Sequence, residues 1–320
     1  MKRDRIFDYV LIDIEVIFVT KRVDKQKSVL GTLFPYLIIL PTVVLSVYFI
    51  LVPIFRLFQY SVLHYVVIHP DRDAFVGLDN FKKLLFEDDL FWKSLVLSGK
   101  WVVFEVGLQL ICGMILALLL NANFRGKGIA RTACFMPWAI SGVLTTVLWK
   151  FIYNLYIGPL NDILGKIGII GEPIAWLSNA STVFYSVASA QLWWGTPFFA
   201  ITLLAALQSI PEDLYEAGYI DGCGNVKKYF YITLPFLKDM IIVTILMRSI
   251  WEFNRIDVIY TMTGGGPYYL TQTLPIYMMK TSIIGTDYGY GSAMAVVIFA
   301  ILMVFVLLYM KLTNYGGDDL

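Results

Sequence analysis

The chain has 320 residues, 58% of them hydrophobic and only 15% charged, with a formal net charge of +1. At a mean hydropathy of +0.70 it carries more apolar surface than one soluble core of this size can hide, which excludes a soluble globular domain. The near-neutral balance gives no footing for nucleic acid or another polyanionic partner.

In chain order, the basic opening Lys2, Arg3 and Arg5 leads into an apolar run, 6–19, that carries Asp8, Asp13 and Glu15. That run is too short and too acidic to span, and it reads as an interfacial or peripheral helix rather than a cleavable signal peptide. An arm of residues 1–28 is therefore set apart from a membrane domain, 29–320. In the latter, six stretches are long and apolar enough to cross a hydrocarbon core of about 30 Å. They lie near 30–58, 96–120, 133–156, 183–208, 238–262 and 288–311. The first holds Pro35, Pro41 and Pro53, tolerable where neighbours re-satisfy the freed carbonyls.

Basic residues crowd the N-terminal arm, the second-to-third connection (Arg125, Lys127, Arg131) and the fourth-to-fifth (Lys227, Lys228, Lys238). By the positive-inside rule these segments and both termini are cytoplasmic. The 59–95 loop carries Arg72, Lys82, Lys83 and Lys93, and the other outer loops show only Lys166 and Lys280. Trp92, Trp101, Trp138 and Trp176 suit an interfacial belt. Cys112, Cys134 and Cys223 imply no disulfide framework.

The connection 209–235 carries the clearest local signals. Ser209 and Glu212 have the spacing of a capping box around a helix opened by Pro211. The helix should run to about Tyr219 and break at Asp221-Gly222; a second stretch, about 225–231, should end before Pro235. This helix-turn-helix offers Leu214, Tyr215, Ala217 and Gly218 to a partner, with Glu216 placed to meet a partner's cation.

These residues also carry a resemblance. Glu216-Ala217-Gly218, then Asp221-Gly222, then Ile232-Thr233-Leu234-Pro235 resembles the EAA motif of binding-protein-dependent ABC permeases, in the form found in maltose-type sugar importers. Gly218 and Cys223 replace the family's alanines, both small. Phe75–Phe81, Gly158–Asn161 with Trp176–Ser178, and Ile259–Pro267 resemble further family phrases, in order. The resemblance implies an all-α membrane protein of six transmembrane helices with the type I ABC importer permease fold. It makes 211–228 a coupling helix seated on an ATPase through Leu214, Tyr215, Glu216, Ala217, Gly218, Asp221 and Gly222. It also implies a second, similar permease subunit, two cytoplasmic ATPase subunits that bind ATP and Mg, and an extracellular or periplasmic solute-binding protein. The chain itself would hold no cofactor and would sit in the plasma or inner membrane among lipid.

For the substrate, Trp193-Trp194-Gly195-Thr196-Pro197-Phe198 lies inside the fourth span. Aromatic faces stack on pyranose rings, and a Gly-Pro interruption would open the backbone beside a cavity. The plainer reading is aromatic packing. The resemblance puts Gln191, Trp193, Gly195 and Phe198 on or near the family's sugar positions. In the fifth span, Trp251, Glu252, Asn254 and Arg255 could line the pathway, with Arg248, Glu252 and Arg255 on one helical face. The alternative is a structural ion-pair cluster. Phe253 and Ile256 stand where the family has asparagines. Glu105 and Gln109 read as an interhelical hydrogen-bonding pair.

No G-x-x-x-x-G-K-[ST] is present, so ATP phosphates have no P-loop here. His64 and His69 lack ligand spacing, and neither a metal site nor a nucleophile–base pair stands out. An ion-driven secondary transporter would show internal repeats, a membrane enzyme would need paired acids or a metal motif at depth, and a permease for a non-sugar solute is the remaining rival.

Overall fold

The computed structural model describes residues 29–69 and 73–313; the arm 1–28, including the segment 6–19, lies outside the described residues. The chain divides into two compact units, 1–59 and 60–320. The first unit holds α1 (Val29–Ser46), which passes through a π-turn at Val47–Leu51 into α2 (Val52–Ser61). The Val52 N–H bonds back five residues to the Val47 carbonyl, immediately before Pro53. A widened turn of this kind lets a proline sit inside a long helix, because the i→i−4 ladder has already shifted register.

The second unit opens with a two-stranded antiparallel ribbon, β1 (Leu63–His64) and β2 (Ala74–Phe75). Its helices are α3 (Asp79–Phe86), α4 (Asp89–Asn121), α5 (Lys127–Ala139), α6 (Gly142–Ile152), α7 (Pro159–Lys166), α8 (Val183–Leu207), α9 (Glu212–Ile220), α10 (Asn225–Lys228), α11 (Leu234–Phe253), α12 (Asp257–Thr263), α13 (Leu274–Met279) and α14 (Tyr288–Thr313). Five helical runs among the described residues are long and apolar enough to cross a membrane, and the α5–α6 pair makes a sixth, bent by 97°.

That bend corrects the expectation of one continuous span over 133–156. Pro137 withholds an N–H, Ile140 is extended, and the Ser141 hydroxyl starts a new helix by accepting from Leu144 N–H at 3.3 Å. The helix expected to stop before Pro235 instead continues. A second π-turn, Tyr229–Thr233, joins α10 to α11, and Leu234 N–H reaches back five residues to Tyr229 one position before Pro235.

α4 is apolar around its whole circumference, yet only one stripe is buried. Ser98, Trp101, Glu105, Gln109, Gly113, Ala117 and Leu120 face the protein, while Val103, Ile111, Ile115 and Leu119 are exposed. The pattern is inverted relative to a soluble helix: small and polar residues turn inward, because lipid accepts the aliphatic ones and gives no drive to bury them. α8 packs along this stripe. A Cβ at Gly113 would collide with the Phe199 Cβ and lie 3.1 Å from the Ala200 nitrogen. Around this contact Met114, Ala117, Leu120, Phe199, Leu203, Leu207 and Leu237 form one apolar cluster, and a second gathers Trp101, Val183, Val187, Val258, Ile259 and Ile276.

Loops are locked by single polar side chains. Asn80 Nδ2 donates to the carbonyls of Ser61 and Leu63 at 3.0 and 2.9 Å. Asn161 donates to Leu155 and Ile174 carbonyls and accepts from Ile174 N–H and the Trp176 indole. Asp88 caps α4 by accepting from Phe91 N–H at 3.0 Å, and its other oxygen takes the Tyr277 and Tyr290 hydroxyls at 2.7 and 2.6 Å. Burial pushes the Asp88 carboxyl up, but these donors outweigh it and hold it below the usual carboxylate range.

Two outcomes follow. Gly113→Leu should destabilise the bundle by about 1–3 kcal/mol through overpacking, seen as a lower thermal midpoint in detergent. Asp88 sheds its proton more readily when folded, so its contribution is present above pH ~4 and fades as pH falls through the folded value. The midpoint gap between wild type and Asp88→Asn should therefore be widest at neutral pH and close on acidification.

Candidate functional site

α4, α8 and α11 meet at a buried polar clamp. Arg248 Nη2 lies 2.7 Å from Glu252 Oε1, one turn along α11, with both side chains excluded from solvent. Arg248 Nε donates to Gln109 Oε1 at 2.7 Å. Gln109 Nε2 donates to Glu105 at 2.9 Å and to Glu252 at 3.2 Å, Gln191 Nε2 to Glu252 at 2.6 Å, and the Trp101 indole to Glu252 Oε2 at 3.3 Å. Gly195 is forced by this arrangement: a Cβ there would strike Arg248 Nη2 and the Gln109 amide.

This geometry corrects several expectations. Gln191, Gly195 and Glu252 are buried within the subunit. Glu105 and Gln109 do pair one turn apart within α4, as expected, and Gln109 carries the bonds between helices, to Glu252 and from Arg248. Trp101 is buried and so is no interfacial anchor. α8 runs unbroken through Gly195 and Pro197, with the Thr196 hydroxyl donating back to the Leu192 carbonyl. Arg255 lies beyond the end of α11 and therefore leaves the face shared by Arg248 and Glu252. It instead meets Asp257 at 3.4 Å, with its guanidinium 4.7 Å from the Trp194 ring centre.

Beside the clamp lies a partly open aromatic strip. The Phe198 ring centre is 6.0 Å from that of Trp138 and 5.1 Å from that of Trp251. Arg248 backs both Phe198 and Trp194 at 5.7 Å. The Trp194 indole donates to the Ile140 carbonyl, at the α5–α6 break, at 2.9 Å. Trp138, Trp251 and Asn254 are exposed, Trp194 and Arg255 half-buried, and Phe198 nearly buried. Trp193 points elsewhere, against Trp149 at 6.1 Å. Of the expected pathway residues, the structure thus brings together Trp194, Phe198, Trp251 and Arg255. Trp138 was missed, because its sequence position suggested only an interfacial tryptophan.

At the end of the bundle formed by the C-termini of α4 and α8, α9 and α10 make the expected helix-turn-helix. α9 ends at Ile220, with Gly222 at φ +72°. The capping box is absent: Ser209 Oγ bonds back to the Ala206 carbonyl at 2.8 Å, so Pro211 opens α9 without it. Gly218 is not offered outward, since it is buried where a Cβ would lie 2.9 Å from Ile232 Cδ1. Tyr215 is half-buried, its hydroxyl 2.9 Å from Thr233 Oγ1. Glu216, Ala217, Asp221 and Gly222 are exposed, as is Leu214 in part, and Tyr219, Ile220 and Val226 add 75%, 84% and 72% exposed apolar side chains.

Long apolar helices with inward-turned polar residues, a sharply bent helix pair and an exposed helix-turn-helix at one end define a polytopic membrane protein. Residues 109–315 match the family described as binding-protein-dependent transport system inner membrane component, and the chain belongs to that family. It is 34% identical over 299 residues to the trehalose/maltose transport system permease protein MalF of Thermococcus litoralis, covering 93% of this chain and 98% of that protein. It is 32% identical to the sulfoquinovosyl glycerol transport system permease protein SmoG of Agrobacterium fabrum, over 88% and 90%. Identity with the diacetylchitobiose uptake system permease protein DasB of Streptomyces coelicolor is 30%, over 90% and 89%. A chain in the crystal structure of a bacterial ABC transporter that imports the acidic polysaccharide alginate superposes with a TM-score of 0.78 at 21% identity, over 88% of this chain and 96% of that one. The fold is that of type I ABC importer permeases.

Removing one partner of a buried ion pair is more costly than removing an exposed ring. Glu252→Ala, which strands Arg248, should cost about 3–5 kcal/mol and sharply lower the thermal midpoint in detergent. Trp251→Ala should leave that midpoint within about 0.5 kcal/mol of wild type.

Proposed function

We propose that this chain is one permease half of an ATP-driven importer for a sugar or oligosaccharide. The observation that carries the reading is its likeness, over about nine-tenths of both chains, to three permeases named for sugar-containing solutes. The aromatic strip supports it: Trp138 and Trp251 offer exposed rings, braced by Phe198 and Trp194, and Asn254 and Arg255 add donors close by in sequence. A second, similar permease subunit would close the pathway over the strip. An extracellular or periplasmic binding protein would deliver the sugar; one of the structural neighbours is an alginate transporter in complex with a pentasaccharide-bound periplasmic protein.

In this reading the α9–α10 end is cytoplasmic and seats on a separate ATPase that binds ATP and Mg. Leu214, Glu216, Ala217, Asp221 and Gly222 present the docking face, Tyr219, Ile220 and Val226 widen it, and Tyr215 and Gly218 hold α9 against the π-turn. Movement of α9 would then pass directly into α11 and the clamp. The N- and C-termini are cytoplasmic, consistent with the basic residues between spans.

Purification of the tagged chain in mild detergent, followed by mass spectrometry, should recover a similar permease and a P-loop ATPase. A chain that comes out alone and still transports in liposomes without ATP would overturn the reading. Glu216→Ala should insert normally yet lose at least about 10-fold in uptake while ATP hydrolysis persists; full uptake by a well-expressed mutant would remove Glu216 from coupling.

A further inference from the structure

At the opposite end of the bundle from α9, a cavity of about 500 Å³ opens between the first turns of α4 and the loop after α12. Its wall is formed by Asp89, Lys93, Ser94, Tyr268, Tyr269 and Leu270. The volume lies within the range of small-ligand sites, and the lining mixes two aromatic rings with a carboxylate, an ammonium and the side chains of Leu90, Leu97 and Leu270.

The loop is held in place rather than merely exposed. Gly264 and Gly265 take φ +62° and +87°, and Tyr268 and Tyr269 follow at +50° and +64°, a left-handed conformation that disfavours bulky residues. Thr271 Oγ1 bonds the Gly266 carbonyl at 2.8 Å and sits 2.7 Å from Thr263 Oγ1. Leu274 N–H donates to Ser98 Oγ on α4 at 2.8 Å. Lys280 Nζ, on the far side of the loop, bonds Gln272 Oε1 at 2.9 Å. Despite this framework, Tyr268 stays 88% and Tyr269 60% exposed. Two rings are thus fixed beside the cavity without being used in packing.

Asp89 and Lys93 stand exposed on the first turns of α4 beside these rings. Ser94 lies behind them, its hydroxyl shielded from solvent.

We infer that this cavity is a second saccharide subsite, at the outer mouth of the subunit, in which Tyr268 and Tyr269 stack on a pyranose ring while Asp89 and Lys93 bond its hydroxyls. The inference rests on the carbohydrate reading above. Gln109 of the clamp lies fifteen residues further along α4, about 22 Å away at 1.5 Å per residue. The subsite would therefore hold a sugar before it reaches the aromatic strip, or hold the outer units of a longer glycan whose first unit lies on it.

The test uses the full chain, purified in the complex it forms and placed in lipid nanodiscs, titrated with radiolabelled trehalose, maltose and maltotriose by equilibrium dialysis. Tyr268→Ala with Tyr269→Ala should weaken binding of the tightest of these about 5- to 50-fold, from two lost stacking contacts. Tyr268→Phe with Tyr269→Phe should stay within about 3-fold, because stacking survives. The alanine pair lies in an exposed loop, so an unchanged thermal midpoint separates lost binding from lost folding. If wild type binds and the alanine pair binds as well, while Trp251→Ala abolishes binding, the subsite is overturned and the carbohydrate reading stands. If wild type binds none of the three sugars at millimolar concentration while its complex imports one of them, the subsite is overturned and the carbohydrate reading stands. If sugar binding is untouched but the alanine pair no longer retains a copurifying solute-binding protein, the cavity is a protein-docking surface and the saccharide assignment is wrong.

Discussion

The arrangement of the three central helices depends on one desolvated charge pair. Arg248 and Glu252 sit within an apolar interior, where leaving either polar end unserved costs more than most packing contacts return. Neighbouring helices supply further partners: Gln109 and Trp101 come from α4 and Gln191 from α8. Bringing α8 close enough removes the side chain at Gly195, just as the α4–α8 contact removes it at Gly113. In a membrane, where lipid is as apolar as leucine, such bonds and close approaches do what hydrophobic burial does in water.

The same constraint shapes the open side. Non-helical backbone at membrane depth is tolerated where it is buried or lines a wet cavity. The two interruptions of the bundle, at Ile140–Ser141 and at Asn254–Ile256, both converge on Trp194: its indole serves the Ile140 carbonyl, and Arg255 covers its ring. Arg248 backs the inner side of that ring and of Phe198. One residue therefore belongs to both halves of the design, a rigid clamp behind and an aromatic surface in front, so a strip that contacts a ligand is braced by groups that do not.

The sequence made the membrane class and the terminal helix-turn-helix legible because both rest on local signals: long apolar blocks, and the Pro211 and Asp221-Gly222 punctuation. The loop phrases that resemble the family's, such as Phe75–Phe81 and Gly158–Asn161, were visible as phrases but not as chemistry. Only folding shows Asn161 bonding the Trp176 indole, or Asn80 closing the β-ribbon. Charged residues in the fifth span were legible as a cluster, yet helical projection could not reveal that the helix stops at Phe253 and sends Arg255 away from Glu252. Prolines misled in both directions. Pro197 broke nothing, and Pro53 and Pro235 were absorbed by π-turns, since a register shift of one hydrogen bond has no sequence signature. Pro137 with Ser141 did break its helix, because a hydroxyl stood ready to start the next one.

The clamp has a further consequence for how such a chain enters a bilayer. Helices are inserted in chain order, and α4 arrives long before α8 and α11. Two of the clamp's bonds are local in sequence: Glu105 with Gln109 and Arg248 with Glu252, each one turn apart. Each helix thus carries its own partner across the hydrocarbon, lowering the toll of about 2.5–3.5 kcal/mol that a lone central charge exacts on insertion. The cross-helix bonds from Gln109, Gln191 and Trp101 can form only afterwards, between segments already embedded. Membrane biogenesis and final assembly therefore draw on separate sets of contacts, and a substitution such as Gln191→Leu would disturb the second stage while leaving the first intact.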